Sequence, residues 1–320
     1  FFNNRINGGI DVYLKDTRDL LLDVNVPSTT GFEIVTRNVG KMRNRGVELR
    51  LNTSNILRDD FSWLTDFNLS VNRNKVTDLD GQVIEGGFTN RAVEGEPIGV
   101  FYALDYAGVD PDNGDALYYV NEQDEEGNIV DPEATTNNPN DANRVVIGSP
   151  HPDFTGGLGN ELAYKNFDLR VFFQFVYGNE IFDGGGQYRS ANGLFFDNQT
   201  KDQLDRWQEP GDETDVPEAR LFFENGQADS DRYLYDGSYL RLKNVTLGYT
   251  LSDALAQRLS IERVRVYLTG INLLTFTNYK LWDPEVNADF VADDGSVALG
   301  TDFYSAPQSR KFSAGIQFSF

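Results

Sequence analysis

The chain has 320 residues, enough for one large or two medium domains, with 39% apolar side chains and a mean hydropathy of −0.46. No run approaches the roughly 18 apolar residues of a spanning helix, which excludes a helical membrane protein but not a β-barrel, whose strands show lipid only alternate residues. The 28 basic and 50 acidic residues give a formal net charge of −22, which argues against nucleic acid and against a basic membrane-surface anchor, and the absence of Cys with a single His excludes disulfides and thiol chemistry.

The first residues, Phe1 to Arg5, lack the basic-then-apolar design of a signal peptide. The chain is therefore cytoplasmic or the later part of something longer. Ile6, Gly8, Ile10, Val12 and Leu14 then alternate with polar positions, and 19–41, which contains Pro27 and Gly31, reads as a loop. Val47, Leu49, Leu51 and Thr53 alternate next. After a short turn at 57–60 come Phe61, Trp63, Thr65, Phe67, Leu69 and Val71, with Leu64 the only large apolar residue on the polar side. A polar insertion, 78–151, carries a small hairpin around Val100–Val120.

Alternation resumes with Phe154, Leu158, Leu162 and Tyr164. A tight turn at Lys165–Asn166 leads to Phe167, Leu169, Val171, Phe173, Phe175 and Tyr177. A second polar insertion runs from about Asp183 to Asp236. Across 238–250 the phase shifts between Leu242 and Val245, which predicts a β-bulge near Lys243–Asn244. A short capped helical turn follows at 252–259, then Val264, Val266, Leu268 and Leu274, a third insertion at 278–307, and a final strand, Lys311–Phe320. In that strand Phe312, Ala314, Ile316, Phe318 and Phe320 share one side.

About eight long strands thus have connections that alternate between short and long. Their apolar sides hold no charge, and aromatics such as Phe61, Phe154, Tyr164, Phe167, Tyr177 and Phe320 sit near strand ends. A soluble sandwich would show charge on outward positions and connections of similar length at both ends. The pattern describes an antiparallel transmembrane β-barrel in a Gram-negative outer membrane, with the bilayer against its apolar side. With the last strand ending at the periplasmic rim, the turns at 57–60, 165–166 and 251–262 are periplasmic and the loops 19–41, 78–151, 183–236 and 278–307 are extracellular.

Several stretches resemble the SusC/RagA family of TonB-dependent outer-membrane transporters: Asn38–Glu48, Phe61–Trp63 with Asn68–Val76, Leu204–Asp212, Asp236–Tyr249 with its Gly237-Ser-Tyr-Leu-Arg-Leu-Lys-Asn244 run, and Asn272–Thr277 followed by Asp283–Glu285. The resemblance runs through the whole chain. It implies the C-terminal eight or so strands of a roughly 22-stranded barrel, with residues 1–320 as one portion of that domain and the plug and N-terminal strands outside this chain. It implies active import of an oligosaccharide or peptide, a SusD-like surface lipoprotein capping the mouth, TonB acting through the N-terminal part, and a Bacteroidota-like source. A final aromatic at Phe320 resembles the signal read by barrel-assembly machinery.

The loop aromatics Tyr188, Phe195, Phe196, Trp207, Tyr233, Tyr235, Trp282 and Tyr304 are candidates for stacking on substrate or packing against the lipoprotein; packing of loops on one another is the other reading. Asp110, Asp112, Asn113 and Asp115 offer hard oxygens for a structural calcium, but without the EF-hand order a plain Asx turn competes. Otherwise no cofactor is expected. Lumen-facing Glu48, Arg50, Asp66, Arg170, Lys243, Arg263, Arg265 and Lys311 form a polar network toward the plug. No base, nucleophile and orienting group can be read together, and His151 lies in a Ser-Pro-His-Pro context, so an enzyme is not expected. The alternative to import is a SusC-like barrel serving as a non-transporting scaffold.

Overall fold

The computed structural model describes residues 2–26, 29, 31–32, 34–190, 193–258, 261–286 and 297–319. Phe320, Pro27 and 287–296 of the third insertion lie outside the described residues. Eight strands form one antiparallel sheet: β1 (Ile6–Arg18), β2 (Lys41–Arg58), β3 (Phe61–Asp78), β4 (Phe154–Tyr164), β5 (Phe167–Tyr177), β6 (Tyr239–Thr250), β7 (Arg263–Thr277) and β8 (Lys311–Ser319). Each pairs with the next in chain order. Among the described residues β1 and β8 have one hydrogen-bonded neighbour each, so the sheet is an open wall.

The register carries the apolar parities across the wall. Val12 faces Val47 and Val47 faces Val71; Leu51 faces Phe67, Phe67 faces Leu158 and Leu158 faces Phe173. The same parity holds in neighbouring rows, where Val171 faces Val245, and Leu247 faces Leu268, which faces Ala314. This keeps one face apolar because side chains alternate strictly along a strand, so a one-residue slip would move the whole set to the other face. The expected bulge is present: the β5–β6 register shifts between Phe172 and Phe173, with Asn244 and Leu242 opposite them and Lys243 skipped. A further shift between β6 and β7 falls at Leu242/Asn244. Asn160 is a polar member of the apolar row, and its Oδ1 accepts from Trp63 Nε1 and Thr65 Oγ1, both at 2.8 Å. Pairing the polar groups with one another lowers the cost of facing them to lipid.

The opposite face carries the charges. Arg265 makes a two-pronged contact with Asp168 at 2.9 and 2.5 Å, and Arg170 meets Glu161 at 3.1 Å. The Tyr13 ring lies flat over Gly46, where a Cβ would come within 2.4 Å of it. Only glycine permits that approach.

At one rim the connections are short. Lys165, at φ +51°, makes the two-residue turn between β4 and β5, and its N–H donates to the Asp60 carbonyl of the adjacent turn. The helix expected at 252–259 is found at Asp253–Arg258. At the other rim the long insertions fold rather than wander. The segment 19–41, read as a loop, contains a hairpin of Leu21–Asn25 with Ile34–Asn38. The hairpin expected around Val100–Val120 resolves into two sheets. Tyr106–Val109 pairs with Ala116–Tyr119, while Val100–Ala103 pairs with Asn90–Ala92 and Val145–Gly148. These strands are too short to show a period, and one partner, Val145–Gly148, lies far away in sequence.

Candidate functional site

The long-loop rim carries a folded layer with its own apolar cores. Leu22, Val24, Val76, Leu79, Ile84, Ala92, Ile98 and Val297 form one, Phe101, Phe182 and Tyr233 a second, and Leu104, Ala116 and Tyr118 a third. Asn90, fully buried, ties separate insertions together. Its Nδ2 donates to the carbonyls of Gly99 (2.9 Å) and Leu299 (2.8 Å), and its Oδ1 accepts from Thr301 Oγ1 at 3.2 Å. A buried amide that reaches this many partners fixes the insertions relative to one another.

Two stretches that carried the family resemblance meet inside this layer. Arg241 of β6, 1% exposed, contacts Asp283 through Nη2 and Glu285 through Nη1 at 2.8 Å, and Lys243 reaches both Glu285 oxygens at 2.6 Å. The Tyr239 ring stacks on the guanidinium at 5.4 Å. Asp283 also accepts from the backbone N–H of Glu285 and of Gln308, both at 2.9 Å. Burial pushes its carboxyl up, but Arg241 and those amides outweigh burial and hold it below its ordinary value. The Asp283–Glu285 segment is thereby clamped against the inner side of the wall.

A second buried ionic cluster joins 180–189 to 301–304. Arg189 Nη2 lies 2.5 Å from both Asp183 oxygens, and its guanidinium stacks on Tyr304 at 5.4 Å. Asp302, opposite Asp183 in a parallel pairing, accepts from Tyr279 OH at 2.7 Å. Burial raises the Asp183 carboxyl despite the pull of Arg189, and burial together with the Asp302 contact raises the Tyr279 phenol.

The eight candidate aromatics divide. Tyr233 is 1% exposed, with its hydroxyl donating to the Gly226 carbonyl at 2.9 Å, so as a substrate or partner contact it is corrected to a core residue. Trp207 is corrected likewise. It is buried, its Nε1 donates to the Pro111 carbonyl at 3.0 Å, and its ring lies on Gly114, whose φ of +75° and lack of a side chain the contact requires. Tyr235 packs edge-on against Tyr279, and burial pushes its phenol up to about 12. Tyr188 packs against Phe195 and Phe303. Phe195, Tyr304, Trp282 and above all Phe196, 92% exposed, keep open surface. Phe196 meets Phe222 at 5.5 Å beside exposed Leu221, Phe223 and Leu204. The run Leu221-Phe-Phe223 inside a polar insertion was a visible signal for this patch.

The Asp110–Asp115 turn is occupied by the chain itself. Asp110 Oδ1 accepts from the Asp112 N–H at 2.9 Å, Asn113 Oδ1 from the Asp115 N–H at 2.8 Å, and the Asp115 carboxylate holds Arg220 at 2.6 Å and Asn137 at 2.7 Å. No group of three or more acidic or His side chains placed to hold a metal occurs among the described residues.

The family model described as TonB dependent receptor-like, beta-barrel, matches residues 1–273. TonB-dependent receptor P3 of Formosa agariphila is 36% identical over 346 residues, spanning 100% of this chain and 33% of its own length. TonB-dependent receptor SusC of Bacteroides thetaiotaomicron is 29% identical over 344 residues, spanning 100% of this chain and 31% of its own. The solved structure of the RagAB peptide transporter matches with a TM-score of 0.82 at 31% identity, covering 100% of this chain and 34% of that one. The chain thus spans about a third of the length of the relatives it matches.

Proposed function

Because the chain belongs to the TonB-dependent receptor β-barrel family, with a SusC/RagA-like structure along its whole length, we propose that it is the C-terminal portion of an outer-membrane barrel that imports an oligosaccharide or peptide. The short-turn rim is periplasmic and the loop layer extracellular. The open edges of β1 and β8 pair with strands from the rest of the polypeptide, which also supplies the plug and the contact with TonB. A SusD-like lipoprotein sits on the loop layer. The Asp110–Asp115 turn is an Asx turn that seats Trp207, and import needs neither a cofactor nor catalysis here.

The observation that carries this reading is the exposed apolar patch of Phe196, Leu204, Leu221, Phe222 and Phe223. It stands on the rim remote from the short turns, and contiguous apolar surface of this kind on a folded layer marks a protein contact. Replacing Phe196 and Phe222 with Asp is expected to abolish co-purification of the lipoprotein and to lower uptake while barrel abundance stays unchanged. Full co-purification and uptake in the variant would defeat the proposal. Co-purification without any uptake by the parent protein would instead identify a scaffold.

A further inference from the structure

The uncharged outer face ends abruptly on one third of the wall. From Phe61 to Val71 along β3 the rise is about 25 Å, taking roughly 3.3 Å per residue and a tilt near 40°, the height of a barrel's apolar band. The same outward parity then continues as Arg73 and Lys75. The register sets Arg73 beside Arg45 and Leu14, and Lys75 beside Arg43 and Asp16, with Arg18 beside Lys41 one step higher. All six cations are exposed. Met42 and Val76, of the opposite parity, are packed into the loop-layer core. The basic rows therefore point away from the lumen, just above the last wholly apolar row of Val12, Val47 and Val71.

The balance of charge here runs against the rest of the chain. Arg43 is paired with Asp16 at 2.7 Å, Arg73 with Asp153 at 2.7 Å and Lys41 with Asp78 at 2.5 Å. Arg45 and Lys75 have no acidic partner among the described residues. Six cations against three carboxylates stand together in a protein of net charge −22. β4 and β5 end at Phe154 and Tyr177, level with Val71, so the basic rows stand on β1 to β3 alone.

We propose that this face of β1–β3 binds the phosphate groups of an anionic lipid in the surrounding leaflet. Its acyl chains lie along Leu14, Val47, Leu69 and Val71, and its phosphate is held by Arg45, Arg73 and Lys75. An amphiphile with phosphate directly above hydrocarbon matches the surface in both height and charge. Guanidinium pairs grip phosphate oxygens in a two-pronged manner, and a free anion would leave the apolar row below it unused. The inference rests on the barrel reading above.

The test uses the full-length protein in nanodiscs of phosphatidylcholine, with and without phosphatidic acid, and native mass spectrometry of the lipid it retains after release into detergent. The parent should retain phosphatidic acid selectively. The triple change R45Q/R73Q/K75Q should lower that retention about a hundredfold, at roughly fivefold per charge removed. R45K/R73K should retain most of it, and Lys201→Gln on the loop layer should have no effect. If the triple variant does not fold, Lys75→Gln alone should still lose about fivefold. Equal retention by variant and parent overturns the proposal, as does displacement of the lipid by inorganic phosphate at matched concentration, which would mark a free-anion site. A changed oligomeric state with unchanged lipid would assign the face to a second copy and also overturn it. Release of the protein without detergent would defeat the barrel reading itself.

Discussion

The strand wall and the loop layer above it are stabilised in different ways, although one chain passes repeatedly between them. Of the buried side chains among the described residues, only Val76, Tyr239, Arg241 and Val264 belong to the wall; the rest lie in the loop layer. The wall is held by its hydrogen-bonded ladders and buries few side chains of its own, so its order depends on what bathes each face. The layer behaves as a small soluble domain, with apolar cores and buried polar hubs. Sequence periodicity therefore speaks about the wall and is nearly silent about the layer.

Four experiments would break or sharpen that contrast. The largest effect belongs to Arg241→Ala, which leaves Asp283 without its buried counter-charge and Glu285 with Lys243 alone, and should cost about 3–5 kcal/mol. It should appear as fast hydrogen exchange across 278–286 with the β2–β5 amides unchanged; equal deprotection of wall and loop would show that the two regions are one unit. Next, Phe67→Arg near the middle of the outer band should cost about 2–4 kcal/mol, read as a lower urea midpoint for the wall in bilayers. A neutral result there would mean that this face does not meet hydrocarbon.

Removing the Asn90 hub by Asn90→Ala should cost about 1–3 kcal/mol, the usual penalty for stranding buried partners. The protease sensitivity of 297–302 should rise while the wall stays resistant. The smallest effect concerns acid. The Asp283 carboxyl lies below its ordinary value of 3.8 in the folded chain, so its contribution is complete above that pH and is lost as pH falls through the lower folded value. Exchange of 283–286 should therefore accelerate only below about pH 4. Acceleration already at pH 6 would point to a different group.

The eight strands, their parities, the two classes of connection and the bulge at Lys243 were all legible, because a half-exposed strand writes a period of two into its residues. The small sheets were not legible, since a strand such as Thr301–Asp302 has no period and takes its partner from 180–183. Among the candidate site residues, Trp207 and Tyr233 misled for a physical reason. An aromatic in a polar insertion reads as a ligand contact until the insertion is known to have a core. Parity places Arg241 and Lys243 alike toward the lumen, and nothing local announces that Asp283 returns to cover the former. Apolar alternation ends at the last apolar residue, so it carries no signal of the basic rows on β2 and β3.

The Asn90 contacts also bear on the order of assembly. Every wall strand pairs with the next in the meander, so the wall can zip hairpin by hairpin at low entropic cost. Asn90 instead binds Leu299 and Thr301, 209 and 211 residues away. Bringing such distant segments together from a free chain is slow, but with β3 through β7 already paired most of that separation has been spanned. The loop layer is therefore the last element to become structured, and an ordered loop layer reports a finished wall.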